Sequence, residues 1–206
     1  MTIYFTADTH FGHGAAIRFG HRPFSSVQEM NEALVRNINA CVQERDELYV
    51  LGDFSCGIPA KDAAAIRGRI RCRNVHLVAG NHDKGWGAKG APELDGVFDV
   101  LSRVCDVKVH GRELHRLLLC HYPLPEWPGM ERGVIMLHGH IHSRGPEYNE
   151  LCRSQGLLRY DMGVDANGMQ PVSMKKIEKW FAGVEPAPFV GWRQWAAPRT
   201  GRGEAR

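Results

Sequence analysis

The sequence predicts a mixed α/β (α+β) fold, and three observations point to it. Short β-prone runs end in polar residues, helical patterns lie between them, and the second half of the chain is richer in strand-like runs than the first. Residues 2–7 form the first run and stop at Asp8; residues 47–51 stop at Gly52-Asp53; residues 74–79 stop at Gly80-Asn81. Between them the apolar positions change to three- and four-residue steps. Met30, Leu34, Ile38 and Cys41 predict a helix over 27–42, and residues 60–70 predict another. Strands alternating with helices make βαβ units, and open α/β sheets put their sites beyond the carboxyl ends of their strands. Farther on, 97–109 and 113–120 read as strands joined by a tight turn at His110-Gly111-Arg112. Residues 134–137 read as a strand running into Gly139, and 157–162 as one more. Residues 173–181 read as a closing helix with Met174, Ile177 and Phe181 on one side.

Size and composition bound what such a chain can be. At 206 residues and 43% hydrophobic content it can build one good core and not two ordinary enzyme domains. A domain over 1–181 is expected, followed by a Pro-, Arg- and Trp-containing tail over 182–206 that is poor core material and expected to be partly disordered, with Trp192 and Trp195 able to dock it. The formal charge of +3 neither demands a nucleic-acid partner nor argues against an anionic substrate. Six cysteines show no C-x-x-C spacing, so free thiols in a reducing compartment are expected. No apolar run reaches the roughly 18 residues of a membrane helix, and no signal-peptide pattern opens the chain. These features exclude a membrane-spanning class and predict a cytoplasmic protein.

Five fragments carry the chemistry: Asp8-Thr9-His10, Gly52-Asp53, Gly80-Asn81-His82-Asp83, His121 and Gly139-His140-Ile141-His142. Each follows an apolar run. Their nitrogen and oxygen donors suit Mn, Fe, Zn or Ni rather than thiolate-seeking metals. Asp8 and His10, like His140 and His142, stand two apart, so in an extended segment each pair points one way and can reach one ion. A single fragment would mean little, but the ordered set is what a two-metal phosphoester hydrolysis site needs.

In these fragments the chain resembles the calcineurin-like metallophosphoesterase superfamily, whose D-x-H, G-D, G-N-H-[DE], H, G-H-x-H pattern is complete here. The resemblance implies a four-layer fold, two mixed β-sheets packed face to face and flanked by helices. It implies two divalent metal ions, Mn foremost with Fe, Zn or Ni admitted. Asp8, His10 and His142 would hold one, Asn81, His121 and His140 the other, and Asp53 would bridge them, with a hydroxide between the metals as nucleophile. His82 would meet the phosphate and protonate the leaving oxygen, with Asp83 hydrogen-bonded to its imidazole. A closer similarity to small single-domain bacterial and phage-type predicted phosphoesterases runs through residues 5–13, Arg22-Pro23-Phe24, Gly163-Val164-Asp165 and Pro171-Val172-Ser173.

The remaining residues add weaker expectations. His13 and Arg22 lie close enough in sequence to the first fragment to touch the substrate phosphate. His138 shares the alternation of His140 and His142 but reads as a buried supporting residue. Arg67, Arg69, Arg71 and Arg73 could track phosphates if extended; at a helix end they read instead as solvated cations. Trp86 and Trp127 are expected on loops rimming the site, where they would anchor the loops or stack on a base. The expected substrate is a small phosphoester or nucleotide-type molecule, with diesters slightly favoured over monoesters; nucleic acid is admitted but not indicated, and no membrane partner is expected. The competing class is a protein-interaction scaffold on the same fold. Such proteins usually lack ligands or the G-N-H histidine, and none is missing here.

Overall fold

The computed structural model describes residues 1–83, 96–111 and 113–188. Two mixed sheets stack face to face. The first has five strands in the order β4-β3-β2-β1-β9: Asp99–Leu101, Asn74–Val78, Glu47–Val50, Ile3–Thr6 and Val172–Ser173. Strands β1 to β4 run parallel, and β9 closes the edge antiparallel to β1. The second sheet has the order β5-β6-β7-β8: Val104–His110, Leu114–Cys120, Ile135–His138 and Arg159–Asp161. There β5 and β6 form an antiparallel hairpin, and β6, β7 and β8 run parallel.

The period-2 alternation of the strands fills both sides of each sheet. Phe5, Tyr49, Leu51 and Val78 of the first sheet meet Leu117, Leu119, Ile135 and Leu137 of the second in the core between them. Leu48, Val50, Val75 and Leu77 face outward onto the helices α2 (Val27–Cys41) and α3 (Ala60–Gly68). Ser26 caps α2 by accepting the Glu29 amide at 3.1 Å, which satisfies one orphan N–H of its first turn. On the outer face of the second sheet Leu118, Cys120 and Met136 pack with Trp127, Met130 and Val134. The helix α4 (Glu147–Ser154) covers β8, and α5 (Met174–Phe181) seals the sandwich with Met174, Ile177 and Phe181. Ser173 caps α5 through the Lys176 amide, so the last helix begins one residue later than the sequence suggests.

Three departures from the sequence reading have simple causes. The run 97–109 is two strands: β4 ends at Leu101, and the chain crosses at Ser102-Arg103 to begin β5 in the other sheet. Alternating hydrophobicity continues through the crossing and does not record which sheet a residue joins. The six-residue helix α1 (Gly14–Phe19) has only Ala16 fully buried, and the short, polar α4 buries only Asn149 and Cys152, so neither offers a long apolar pattern to read. Trp127 is not on a rim: it is buried, with its indole N–H donating to the Val134 carbonyl at 2.8 Å. Trp86, Trp192 and Trp195 lie outside the described residues. All six cysteines are unpaired, and among the described residues no helix is long and apolar enough to cross a membrane.

Beyond α5 the described residues 182–188 are held to the domain. Val184 packs against the inter-sheet core, and the Ala187 amide donates to the Gly156 carbonyl at 2.8 Å. A chain ending at Phe181 is therefore expected to be about 1–3 kcal/mol less stable than one ending at Pro188. Denaturant midpoints compare the two; equal midpoints would show that these contacts contribute nothing.

Candidate metal centre

The five fragments meet at one edge because β1, β2, β3, β6 and β7 all deliver their carboxyl ends to it. Beyond β1 the chain is held to both sheets: the Ala7 amide donates to the Met162 carbonyl and the Asp8 amide to that of Gly52, each at 3.0 Å. The side chains do not converge by extended geometry. Asp8, His10, Asp53, His140 and His142 all have left-handed backbones, with φ of 56, 49, 54, 77 and 47°. Such conformations are uncommon for residues with a Cβ and persist only where surroundings enforce them. Gly52 and Gly80 leave room for this. A Cβ on the first would strike the His121 ring, and one on the second the Asp53 carboxylate.

The seven donors form two overlapping groups. His10 Nε2 and His142 Nε2 stand 3.2 Å apart, and Asp8 Oδ1 is 4.0 Å from the latter. His121 Nε2 lies 3.2 Å from His140 Nδ1 and 3.1 Å from Asn81 Oδ1. Asp53 Oδ2 is 3.5 Å from both His10 Nε2 and His121 Nε2. Two nitrogens each about 2.1 Å from a shared ion stand about 3.0–3.4 Å apart at ordinary coordination angles, so these spacings suit divalent metals. The other atom of several donors is tied to the scaffold. Asp8 Oδ2 accepts the His140 amide and Asp53 Oδ1 the His82 amide, both at 2.8 Å. His121 Nδ1 donates to the Leu51 carbonyl at 2.9 Å, which leaves Nε2 with its lone pair facing the cluster.

Electrostatics select a cation. Asp8 is fully buried, and its Oδ1 has no hydrogen-bond partner. Burial pushes its carboxyl well above the usual range, and the charges of Asp161, Asp53 and Asp165 push it the same way. Burial also lowers His10 to about 2, helped by His142 and Arg22, so its imidazole is neutral and free to ligate. A buried carboxylate with an idle oxygen, facing neutral imidazoles, lacks a positive partner. Asp8, His10 and His142 on one side, and Asp8, Asp53 and His121 on the other, are each close enough to share an ion.

Other expected residues fall elsewhere. Asp83 does not bond to the His82 imidazole. Its Oδ2 accepts the amides of Asp53 at 2.6 Å and Gly80 at 2.9 Å, and its Oδ1 accepts that of Phe54 at 3.0 Å. It thus pins the β2 and β3 loops together. His82 Nδ1 instead faces the Cys56 thiol at 3.3 Å, and its ring lies edge-on to His10. Arg22 is not exposed to a substrate. It is buried, and all five of its N–H donors are used on Asp165, Asp8, Thr9 and Met30. His13 is half-buried at the mouth, with Nδ1 3.2 Å from His10 Nδ1. Sequence reasoning missed Phe19 and Tyr122, exposed rings set edge-on to His142 and His140. It also gave Asp165 no role, although that carboxylate accepts His142 Nδ1–H at 2.8 Å; the quoted Gly163-Val164-Asp165 was the signal. The arginines at the end of α3 and beyond it make local contacts, Arg67 to main-chain carbonyls, Arg69 to Glu32 and Arg73 to Glu44.

This donor set on this fold defines a metal-dependent hydrolase of phosphoric esters. The chain belongs to the calcineurin-like phosphoesterase family, which it matches over residues 1–166. It is 40% identical over 180 residues to the uncharacterized protein MJ1445 of Methanocaldococcus jannaschii, covering 86% of this chain and 89% of that one. The Gene 66 protein of Mycobacterium phage D29 is 28% identical over 160 residues, covering 69% and 79% respectively. Among solved structures, AQ665 from Aquifex aeolicus shares the fold, with a TM-score of 0.65 at 24% identity over 86% of this chain and 98% of that one.

His138 is buried beneath the cluster, with Nδ1 donating to the Gly139 carbonyl at 2.8 Å and Nε2 accepting Tyr148 O–H at 3.2 Å. Burial lowers its imidazole from 6.5 to about 4. The unfolded chain therefore takes up this proton at higher pH than the folded one. Stability owed to neutral His138 is complete above 6.5 and is lost as pH falls toward about 4. The expected decline is about 1–3 kcal/mol, and His138→Gln should flatten the pH profile of denaturant unfolding in that window.

Proposed function

We propose that the chain is a binuclear-metal phosphoesterase acting on small or nucleotide-type phosphodiesters. In this reading Asp8, His10 and His142 hold one ion, Asn81, His121 and His140 hold the other, and Asp53 bridges. The observation that carries it is Asp53 Oδ2, equidistant at 3.5 Å from a donor nitrogen of each group. When bound, the ions acidify a coordinated water and offset charge on the phosphoryl oxygens. The nitrogen and oxygen donors suit Mn, with Fe, Zn or Ni as the alternatives.

The chain's own groups do the rest. His82, at the mouth, donates a proton or hydrogen bond to the leaving oxygen, and its amide bond to Asp53 Oδ1 fixes the loop that carries it. Asp83 acts at a distance, holding Gly80, Asp53 and Phe54 by their amides, so it positions the site and does not touch substrate. His13 and the faces of Phe19 and Tyr122 offer contacts for the ester's substituents. With the Arg22 donors spent beneath the floor, the rings of His13, Phe19, His82 and Tyr122 dominate the mouth among the described residues. That suits a singly charged diester with two substituents better than a monoester dianion. The domain carrying all these groups is residues 1–181.

Chelation is expected to abolish turnover and added Mn to restore it. With matched leaving groups, kcat/KM for the diester should exceed that for the monoester; a tenfold advantage for the monoester would reverse the substrate assignment. His82→Asn is expected to keep wild-type metal content while kcat falls about 10²- to 10⁴-fold, less for substrates with good leaving groups. Loss of metal in that variant would instead make His82 a part of the ion site.

A further inference from the structure

We propose that the buried Arg22–Asp165 pair is the positioning device for one ion subsite, the one formed by Asp8, His10 and His142. The proposal rests on the binuclear reading above and adds to it a selective dependence of one ion on a pair of residues that touch neither metal nor substrate.

The pair reaches all three residues of that subsite. Asp165 Oδ2 accepts His142 Nδ1–H at 2.8 Å, which turns the lone pair of Nε2 toward His10 and Asp8. Arg22 grips the same carboxylate with two parallel bonds, Nε to Oδ1 at 2.8 Å and Nη2 to Oδ2 at 2.9 Å. Its other N–H groups donate to the Asp8 carbonyl at 2.7 Å and the Thr9 carbonyl at 2.9 Å, the peptides on either side of Thr9. Those bonds hold the turn in which Asp8 and His10 both take left-handed backbones. Both side chains of the pair are almost wholly inaccessible.

The other subsite is built differently. His121 is oriented by the main-chain carbonyl of Leu51 and the Asn81 loop by Asp83, with neither contact passing through Arg22 or Asp165; the one link to the pair is the His140 main-chain amide on Asp8 Oδ2, which does not orient the His140 ring. Removing the pair should therefore weaken one ion and spare the other. Leaving either charge alone in the interior would be costly, so the informative variant removes both, Arg22→Met/Asp165→Leu.

Two measurements test this. Titration of the metal-free full chain with Mn, followed by calorimetry and electron paramagnetic resonance, should show two ions for the wild type. In the double variant one affinity should be unchanged and the other about 10- to 100-fold weaker, the usual worth of a ligand's hydrogen-bond partner. Two ions bound with wild-type affinity, or both weakened equally in a folded variant, would overturn the proposal. Independently, nitrogen NMR of metal-free wild-type protein at mildly alkaline pH should find His142 as the Nδ1–H tautomer. An Nε2–H tautomer would overturn the proposal without any variant. Should the wild type bind no metal at all, the binuclear reading fails, while the tautomer still decides whether Asp165 orients His142.

Discussion

The structure is organised around buried negative charge that the protein does not neutralise. Asp8 and Asp53 sit within the sandwich at its upper edge, and each spends one oxygen on a backbone amide and turns the other toward imidazole nitrogens. Asp161 and Asp165 are buried nearby and add to the field at Asp8. Arg22 lies beside them, but its charge is matched by Asp165. Isolated buried carboxylates cost several kcal/mol, a cost that bound cations offset. The rest of the site follows from that need: imidazoles left neutral at His10 and His121, and oxygens aimed inward.

The second cost is conformational. Left-handed backbones at non-glycine residues carry strain of about 1–3 kcal/mol each, and here five of them are donors. The sandwich absorbs this by fixing each turn from more than one direction. Asp8 is held by its own amide, its carbonyl and its carboxylate. The loops after β2 and β3 are joined through Asp83. Rigid strand ends and over-determined turns fix the donor atoms from several directions at once.

The donors were legible in the sequence because each follows an apolar run and carries an unusual combination of side chains. The reason offered for their convergence was not: spacing of two suggested extended pairs, whereas the left-handed turns do the work. Arg22 and Asp83 were recognisable as motif residues but not as buried anchors, since a one-letter pattern does not tell whether a polar group faces solvent, a substrate or a carbonyl. The crossing at Ser102-Arg103 was hidden because an alternating strand looks the same in either sheet. Helices α1 and α4 escaped because they are six and eight residues long and bury only one or two side chains each. Trp127 read as a rim residue because its loop lies next to His121, yet the indole folds back onto Val134.

The donors come from two sheets that meet through an apolar core and a few main-chain bonds around Ala7. Asp8, His10, Asp53 and Asn81 follow strands of the first sheet, and His121, His140 and His142 follow strands of the second. An ion shared between them is a cross-link between layers, placed at the edge opposite the helix α5 that closes the sandwich. Ligation and folding are then thermodynamically linked, and the free energy of metal binding becomes cohesion between the sheets. With ions in place, the midpoint of thermal unfolding would be a function of free metal concentration, and the protein's durability would be set partly by the ion supply of its surroundings.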